Sequence, residues 1–221
     1  MSAMATTDSI SANASKATRR KVIMALAGVV VLGAIAFNTT VVTIGGEGDL
    51  RQQAFNPDHF GAQEFPSIRD YVIEKAPDAV QLADELATDR DAAIAAYGTM
   101  AGAFPVMAVR FTGIAGEGSS GIFAFDVDGL PDGMGIRVQT GPAINGTELR
   151  DVTGDIVFGD FTNQIEYQNV GTGINRAMAA EVLSDLDREA LTGKTVTVTG
   201  AFTMINPANW LVTPVAFEVQ E

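Results

Sequence analysis

The sequence predicts an α+β protein in which an N-terminal membrane helix and a short helical collar precede a partly open β-barrel with a helical insertion. Three observations lead to this fold class. Residues 22–37 form a run of 16 residues without a polar side chain, directly after a basic segment. Helical patterns punctuated by proline and aspartate occupy residues 57–97. From Val106 onward, short apolar or alternating runs lie between glycines, which is typical of strands.

The composition excludes several functional classes. The chain has 221 residues, of which 47% are hydrophobic and 19% charged, as expected for a protein with a packed core. A net charge of −13 argues against nucleic acid as a partner, because phosphate contacts need clustered Lys and Arg. The chain has no cysteine, which excludes disulfides, thiol catalysis, thiolate metal sites and a lipid on cysteine. These features favour an extracytoplasmic domain.

The N-terminal part is basic and then apolar. Residues 1–37 carry four basic side chains and one acidic side chain, whereas the rest of the chain carries 10 basic and 26 acidic ones. A membrane span needs about 20 apolar residues, and neutral residues extend the run to Ile44. Basic residues before the run predict an orientation with the N-terminus inside. We therefore expect a cytoplasmic tail over 1–21 and an anchor or uncleaved signal over 22–44. Cleavage after Ala36 is the alternative.

A helical segment over residues 45–100 is expected next. Three apolar groups at helical spacing, Ile68, Tyr71 and Val72, predict one buried helix face. Pro66 is expected to kink or restart that helix. The residues that open the expected helices are Pro57-Asp58, Pro77-Asp78 and Thr88-Asp89.

The barrel is expected over residues 101–221. A helical insertion from Ile174 to Leu183, followed by a turn at Asp187–Leu191, interrupts the strands before the last two. Few short strands with one helix favour a small barrel over a doubly wound sheet. The predicted strands are Val106–Ile114, Gly121–Val127, Gly135–Thr140, Asp155–Phe158, Thr195–Phe202 and Leu211–Val219.

A cluster of carboxylates between two of these strands is a weak candidate for a calcium site. Asp126, Asp128 and Asp132 lie within seven residues. An EF-hand loop needs oxygen ligands at its fifth and twelfth positions, where this chain has Leu130 and Arg137. The Asp-Gly pairs of this segment instead favour a hairpin connection. We therefore predict no metal site, with these three aspartates as the candidates if one exists.

The residues that catalysis would need are sparse. His59 is the only histidine, so it has no partner for zinc or for a triad, and a structural role is favoured. No serine lies in a G-x-S-x-G context, and no cofactor motif occurs. Glu148 with Asp151 or Glu166 is the carboxylate pair from which a hydrolase or lyase would be built.

The densest polar segment lies between residues 141 and 175. Its amide, carboxylate, phenol and guanidinium groups are those that line small-molecule sites. Alternatively, the same groups satisfy buried backbone polar atoms around an irregular barrel closure. The candidate ligand-binding residues are Arg150, Asp151, Asn163, Gln164, Glu166 and Tyr167.

Four ordered blocks of the sequence resemble a known bacterial family. They are Gly141–Asp151, Asp160–Tyr167, Leu191–Phe202 and Trp210–Val215. Together the blocks resemble domain-of-unknown-function family 2291, the predicted periplasmic lipoproteins. The segment Gly193–Gly200 is also similar to a strand opening in OB-like barrels, which makes the expected barrel OB-like.

The resemblance implies a location and a partner class. Many members of this family look like lipoproteins with an acylated cysteine, which this chain lacks, so a peptide anchor is expected in its place. The family has no established activity, and its genes tend to lie beside sugar-type ABC transport systems. We therefore expect a non-enzymatic binding or accessory protein, anchored by a single pass in the inner membrane with its C-terminal domain in the periplasm. ABC transporter components or a periplasmic solute-binding protein are the expected partners, and no cofactor is expected. A periplasmic hydrolase or lyase and a purely structural envelope protein are the alternatives.

Overall fold

The computed structural model describes residues 21–33 and 55–220, and the chain divides into two units, Met1–Ala54 and Phe55–Glu221. In the first unit, residues 21–33 form helix α1, whose apolar side chains are exposed. Residues 1–20 of the predicted tail and 34–44 of the predicted anchor, with the cleavage position, lie outside the described residues. Within the two described ranges, no helix combines the length and the apolar character that crossing a membrane requires.

The second unit begins with three helices and continues as six strands with two further helices and a 3-10 turn. The helices are α2 Pro57–Lys75, α3 Ala79–Thr88, α4 Arg90–Tyr97, α5 Glu148–Asp151 and α6 Gln164–Val182, and the 3-10 turn is Phe158–Asp160. The strands are β1 Gly98–Ala101, β2 Phe104–Ser119, β3 Ile122–Asp126, β4 Gly135–Gln139, β5 Thr195–Thr203 and β6 Asn209–Val219.

The first three helices begin where short polar side chains cap them. The side-chain oxygens of Asn56, Asp78 and Asp89 accept backbone N–H groups at the starts of α2, α3 and α4. The helices predicted over residues 57–97 are confirmed. The predicted restart at Pro66 is wrong, because α2 continues through this proline. Phe65 and the residues that follow Pro66 on the same face are buried, and this packing offsets the one lost hydrogen bond.

The strands form one sheet that is partly closed into a barrel. Its order is β1-β2-β3-β4-β6-β5, and β2 also pairs with β5, which joins the two sides of the sheet. All neighbours are antiparallel except β4 and β6, which are parallel. Strand β1 pairs with residues 104–107 at the start of β2, and the Pro77 carbonyl accepts the Arg110 N–H further along that edge. The fold is therefore α+β with a partly closed sheet.

Alternation along the strands separates two hydrophobic clusters. Met107 and Val109 of β2 belong to the cluster inside the barrel, whereas Val106 and Ala108 belong to the cluster under α2, α5 and α6. This in–out pattern follows from the two-residue period of a strand. The sheet is therefore buried on both faces wherever α2 and α6 cover it.

Helices α2 and α6 approach most closely at glycines. A Cβ on Gly61 would overlap the backbone of Gly173, and a Cβ on Gly173 would overlap the carbonyl group of Pro57. Ion pairs on either side of this contact join Asp58 to Arg176 and Arg69 to Glu181. The contact places the start of α2 beside α6.

Two predictions about the elements need correction, and one strand was missed. The segment Asp155–Phe158 is an irregular loop that leads into a 3-10 turn and not a strand. Ile156 packs on the hydrophobic cluster under α2, α5 and α6, whereas Val157 and Phe158 stay exposed. The backbone of this segment therefore pairs with no strand. The predicted helix at 174–183 is longer and starts at Gln164, because Asn163 caps it there. Strand β1 was not predicted.

Candidate functional site

Three of the six predicted binding residues meet between α5 and α6. Arg150 donates from Nε to Asp151 Oδ1 at 2.7 Å and from Nη2 to Asp151 Oδ2 at 3.0 Å. Its guanidinium carbon lies 3.8 Å from the ring centroid of Tyr167. Its third nitrogen, Nη1, donates to the Tyr167 carbonyl at 3.1 Å. The arginine is therefore held by a bidentate ion pair, a cation–π contact and a backbone acceptor.

The local sequence explains why α5 presents these groups together. Leu149 and Val152 are buried in the cluster under α6, so they fix the short helix against the sheet. Thr147 Oγ1 donates to Asp151 Oδ2 at 2.6 Å, which orients the carboxylate for Arg150. The guanidinium and carboxylate are both largely buried, and burial is tolerated because each is paired.

Tyr167 forms the outer part of this group. Its ring lies at 5.7 Å from the rings of Phe158 and Phe161, centroid to centroid. Desolvation raises the pKa of the Tyr167 phenol, and the Arg150 charge acts in the opposite direction. The hydroxyl has long contacts of 3.5 Å to Asp151 Oδ1 and to the Ile156 carbonyl. The ring contacts, more than the hydroxyl, hold Tyr167 in place.

The other three predicted residues lie at the start of α6 and are not gathered around the arginine. Asn163 Oδ1 accepts the Glu166 N–H at 3.0 Å, and Glu166 Oε2 accepts the Thr162 N–H at 3.0 Å. This reciprocal arrangement is similar to a capping box, and its signature in this sequence is N-x-x-E before an apolar run. Gln164 is exposed in the first turn. Asn163 and Glu166 thus satisfy exposed backbone N–H groups at the start of a helix, which neither interpretation of this segment expected.

The structure adds exposed apolar residues that the sequence did not single out. Val157 is 49% exposed, Phe158 53% and Ile165 71%. Phe158 packs its ring edge on Tyr167, whereas Ile165, two residues before Tyr167 on α6, lies on a different side of the helix. We call the group of Val157, Phe158, Tyr167 and Arg150 the Tyr167 surface. The apolar run 156–158 was a signal for it, but the run was assigned to a strand.

Aromatic packing connects the Tyr167 surface to the start of the folded unit. Phe161 contacts Phe55 at 5.5 Å and Phe60 at 5.7 Å between ring centroids. Phe55 is the first residue of the second unit, directly after residue 54. The beginning of α2 and the loop before α6 therefore share one aromatic cluster.

A partly buried glutamate, Glu148, begins the helix α5 that carries Arg150. Thr203 Oγ1 and Thr213 Oγ1 contact the Glu148 carboxyl oxygens at 3.3 and 3.5 Å. Desolvation by burial is the largest cause of a raised Glu148 pKa. In the carboxylate pairs considered from the sequence, Asp151 is bound to Arg150 and Glu166 is bound to the backbone before α6.

The candidate calcium ligands lie in the connection between β3 and β4. Asp126 ends β3, and Asp128 and Asp132 are exposed in the turn. Gly129 and Gly133 have φ values of +83° and +82°, as the turn requires. Across residues 21–33 and 55–220, no group of three or more histidine, aspartate or glutamate side chains is arranged to hold a metal ion.

Two further features lie apart from the Tyr167 surface. His59 is exposed in the first turn of α2, where its backbone N–H is bound by Asn56. A groove of about 380 Å³ lies between α4 and the β1–β2 hairpin, and Arg90, Ile94 and Met100 contribute to its walls. None of the predicted binding residues lines this groove.

The comparisons with known proteins identify the family. A family model described as "Predicted periplasmic lipoprotein (DUF2291)" matches residues 26–218. The chain belongs to this family. The resemblance proposed from the sequence blocks is therefore confirmed, and by its family the protein is a predicted periplasmic lipoprotein of unknown function. No curated protein matches the chain. The 221 residues contain no cysteine to which a lipid could be attached.

A solved structure supports the barrel assignment for this member of family 2291. It is the crystal structure of an OB-fold protein from Thermotoga maritima, with a TM-score of 0.59 and 20% identity. The similarity covers 76% of this chain and 99% of that one. At this identity the similarity shows the fold alone, which confirms an OB-like arrangement.

Proposed function

We propose that this family 2291 member is a non-enzymatic accessory protein at the periplasmic face of the inner membrane, and that it binds another protein through the Tyr167 surface. The observation that carries the proposal is the exposure of Val157 and Phe158 on a rigid support. Apolar side chains that stay exposed beside well-packed aromatic and arginine residues are typical of the centres of protein interfaces.

The support is rigid because its polar groups are already satisfied. Arg150 is bound by Asp151 and lies on the Tyr167 ring, so neither side chain needs to be reorganised when a partner arrives. A binding surface that is ordered before association avoids part of the entropy cost of binding. The inside of the barrel is filled by large side chains such as Trp210, Phe111 and Phe202, which favours a function on the outer surface.

Charge around the surface indicates the chemistry of the partner. Asp155 and Asp160 are exposed on either side of Phe158, and no basic residue lies between residues 151 and 175. An apolar centre with an acidic border fits a protein whose own apolar patch is bordered by Lys or Arg. A component of an ABC-type uptake system, either a solute-binding protein or the transporter, is the partner class that the family resemblance implied.

Attachment to the membrane is proposed to rest on residues 22–44. The 16 uncharged, apolar residues from 22 to 37 and the basic residues before them support a single pass with the N-terminus inside. A periplasmic reporter fused after Glu221 is expected to be active, and N-terminal sequencing of the membrane fraction is expected to start before residue 22. A cytosolic reporter signal would contradict the orientation, and a start at residue 37 would contradict the anchor.

The binding proposal is tested with the full chain and purified candidate partners. The solute-binding protein and the transporter encoded nearest to this chain's gene are immobilised, and the affinity of the chain is measured. The double variant Val157→Ser with Phe158→Ser is expected to lose at least tenfold in affinity, since each substitution removes a central apolar contact worth more than about 1 kcal/mol. Arg150→Ala is not suitable, because it leaves Asp151 buried without a partner.

The matched control removes exposed apolar groups elsewhere. Met100 and Ile205 are 62% and 68% exposed, at the hairpin end of the sheet. Met100→Ser with Ile205→Ser is expected to leave the affinity unchanged. If the control variant loses binding and the Tyr167 variant keeps it, the surface is wrongly assigned. If neither uptake component binds the unmodified chain, the accessory function is refuted and the structural alternative is favoured.

A further inference from the structure

Strand β1 lies at an edge of the sheet, and no other strand of the described residues adjoins its outer side. It comes first in the sheet order and pairs with β2. In β2, the Pro105 carbonyl accepts the Met204 N–H from the side of β5. Since hydrogen bonds alternate between the two sides of an antiparallel strand, Met100, which lies opposite Pro105, directs its own N–H and C=O away from β2. The backbone of Met100 is therefore available to a further strand.

This strand lacks the features that usually protect a sheet edge. Charged side chains, prolines and bulges are common ones, whereas β1 consists of Gly98, Thr99, Met100 and Ala101 in regular register with β2. Met100 is 62% exposed, and within residues 21–33 and 55–220 its N–H and C=O bond to no backbone group outside β1 and β2. Because β1 is short, an added strand forms only a few hydrogen bonds and associates weakly.

The segments around β1 are neutral in a strongly acidic chain. Residues 92–109, which contain β1, and residues 195–217, which contain β5 and most of β6, carry no charged side chain. The two segments adjoin through the hydrogen bond between β2 and Met204, and Phe104 and Ile205 are exposed beside it. Two copies with a net charge of −13 each repel one another, so their contact is least costly at a neutral, apolar end.

The geometry of β1 is complementary to itself. A two-fold axis beside Met100 places the Met100 N–H of each copy opposite the Met100 C=O of the other, so one antiparallel pair satisfies all four outward groups. Two residues away, Gly98 of one copy faces Gly102 of the other, and neither has a side chain that obstructs the approach. The groove beside α4, with Ile94 in its wall, lies on the same face as Met100. The flexible Met100 side chain of a second copy can fill part of that groove.

We propose that the outer edge of β1 is a self-association site, at which two copies of this chain join their sheets antiparallel across a two-fold axis at Met100. The contact combines the backbone pair of Met100 with the exposed apolar side chains of Met100, Phe104 and Ile205. Because few hydrogen bonds hold it, the dimer is weak and forms with rising concentration. The site includes no residue of the Tyr167 surface and does not rest on the proposed function.

The first test measures which residues of the two copies meet. Because the chain has no cysteine, one introduced cysteine carries a spin label at a single position. In the full chain in detergent micelles, labels at Met100→Cys are expected to show dipolar broadening that grows with concentration, since opposite Cα atoms in such a pair are about 5.5 Å apart. Labels at Glu117→Cys, near the other end of β2, are expected to show none. Copies that associate without broadening at Met100 would overturn the proposal.

The second test removes the outward donor. Met100→Pro deletes that N–H and leaves the bonds between β1 and β2 in place. Sedimentation equilibrium is expected to give a dimer dissociation constant at least about tenfold higher, because both hydrogen bonds of the pair are lost. Met100→Ser keeps the N–H and is expected to have a smaller effect. An unchanged constant in Met100→Pro, or the mass of one copy for the unmodified chain at every concentration, would refute the dimer.

The two interfaces are separated by exchanging their variants. Val157→Ser with Phe158→Ser is expected to leave the dimer dissociation constant unchanged. Met100→Ser with Ile205→Ser is expected to raise it and to leave the affinity for the uptake component unchanged. A dimer that is lost in the Val157 and Phe158 variant would overturn the self-association site, whereas failure of the uptake components to bind concerns only the proposed function.

Discussion

The close contact between α2 and α6 allows a sharp test of how this fold holds its functional face together. Gly173 lies in the middle of α6, and a methyl group there would overlap the carbonyl group of Pro57. Gly171 lies two residues earlier in the same helix, and a methyl group there would have an ordinary contact of 3.5 Å with Thr147 Cγ2. The same chemical change, Gly→Ala, is therefore expected to have opposite effects at the two positions.

The magnitudes follow from two opposing terms. Replacing glycine by alanine inside a helix stabilises it by about 1 kcal/mol. At Gly171 this term acts almost alone, and Tm is expected to rise by about 2–4 °C, the change per kcal/mol for a domain of this size. At Gly173 the obstacle is backbone, which cannot rotate away, so an overpacking cost of about 3 kcal/mol or more is expected. The net loss of about 2 kcal/mol corresponds to a Tm lower by about 4–8 °C.

The assay is thermal denaturation of the full chain, followed by circular dichroism and by fluorescence of its single tryptophan, Trp210. Trp210 reports on the inside of the barrel and circular dichroism on the helices, so coincident transitions show whether both parts unfold together. Tm values that shift in the same direction for Gly171→Ala and Gly173→Ala would refute the reasoning. A Gly173→Ala variant as stable as the unmodified chain would show that α2 moves aside at no cost.

Three further predictions concern the site. Glu148→Gln is expected to be more stable than the unmodified chain at neutral and alkaline pH and equally stable in acid. The reason is that the Glu148 pKa is raised in the folded state, so the unmodified chain loses stability as pH rises from 4.5 through that pKa. The loss is at most about 1.4 kcal/mol per pH unit. Urea denaturation over a pH series, with Glu117→Gln as control, measures the free energy of unfolding. The same pH dependence in Glu148→Gln and in the unmodified chain would contradict the prediction. Asn163→Ala is expected to cost about 1 kcal/mol in urea denaturation and Asn163→Asp much less, since aspartate also caps a helix; equal losses would contradict the cap. Tyr167→Phe is expected to change stability by less than about 0.5 kcal/mol, whereas Tyr167→Leu loses the ring beneath Arg150 and is expected to cost about 1–2 kcal/mol. Thermal denaturation distinguishes these, and a larger loss in Tyr167→Phe would show that the hydroxyl matters.

Where a pattern is local, the sequence predicted the structure well. The predicted strand Thr195–Phe202 matches β5 within one residue, because the strict alternation of Thr195–Thr199 places its valines inside the barrel. The aspartates at positions 78 and 89 marked the starts of α3 and α4, because an N-cap acts on its own first turn. Such elements depend on side chains a few residues apart, so a single sequence contains enough information for them.

The errors occurred where distant packing overrides a local pattern. Residues 156–158 are apolar and adjacent, which is typical of a strand, but these residues lie where no strand edge is available. Pro66 favours a break, but α2 is held on both sides of it by buried residues such as Phe65 and Val72. Gly171 and Gly173 hid the first half of α6, since glycine disfavours an isolated helix. Of the two, Gly173 is explained by the backbone of α2 packed against it.

The candidate site shows the same division. The sequence identified Arg150, Asp151 and Tyr167 as chemically suitable, and Arg150 next to Asp151 needed no tertiary information. It could not separate Asn163 and Glu166, which cap a helix, from Tyr167, which lies on the arginine. All of these residues are of types that line binding sites, and only their positions in the structure show which of them cap a helix.

Taken by itself, the amino-acid sequence determined the family, the acidic and cysteine-free character, the apolar N-terminal run and the α+β class. These properties depend on residue composition and on periodicities of two or four residues. Both can be recognised without knowing which surfaces pack together. Only the tertiary structure decided that the Glu148 carboxyl lies against Thr203 and Thr213, and that Phe158 stays exposed with its ring against Tyr167. Burial of a side chain depends on residues far away in the chain, which sheet closure and the contact at Gly173 bring together.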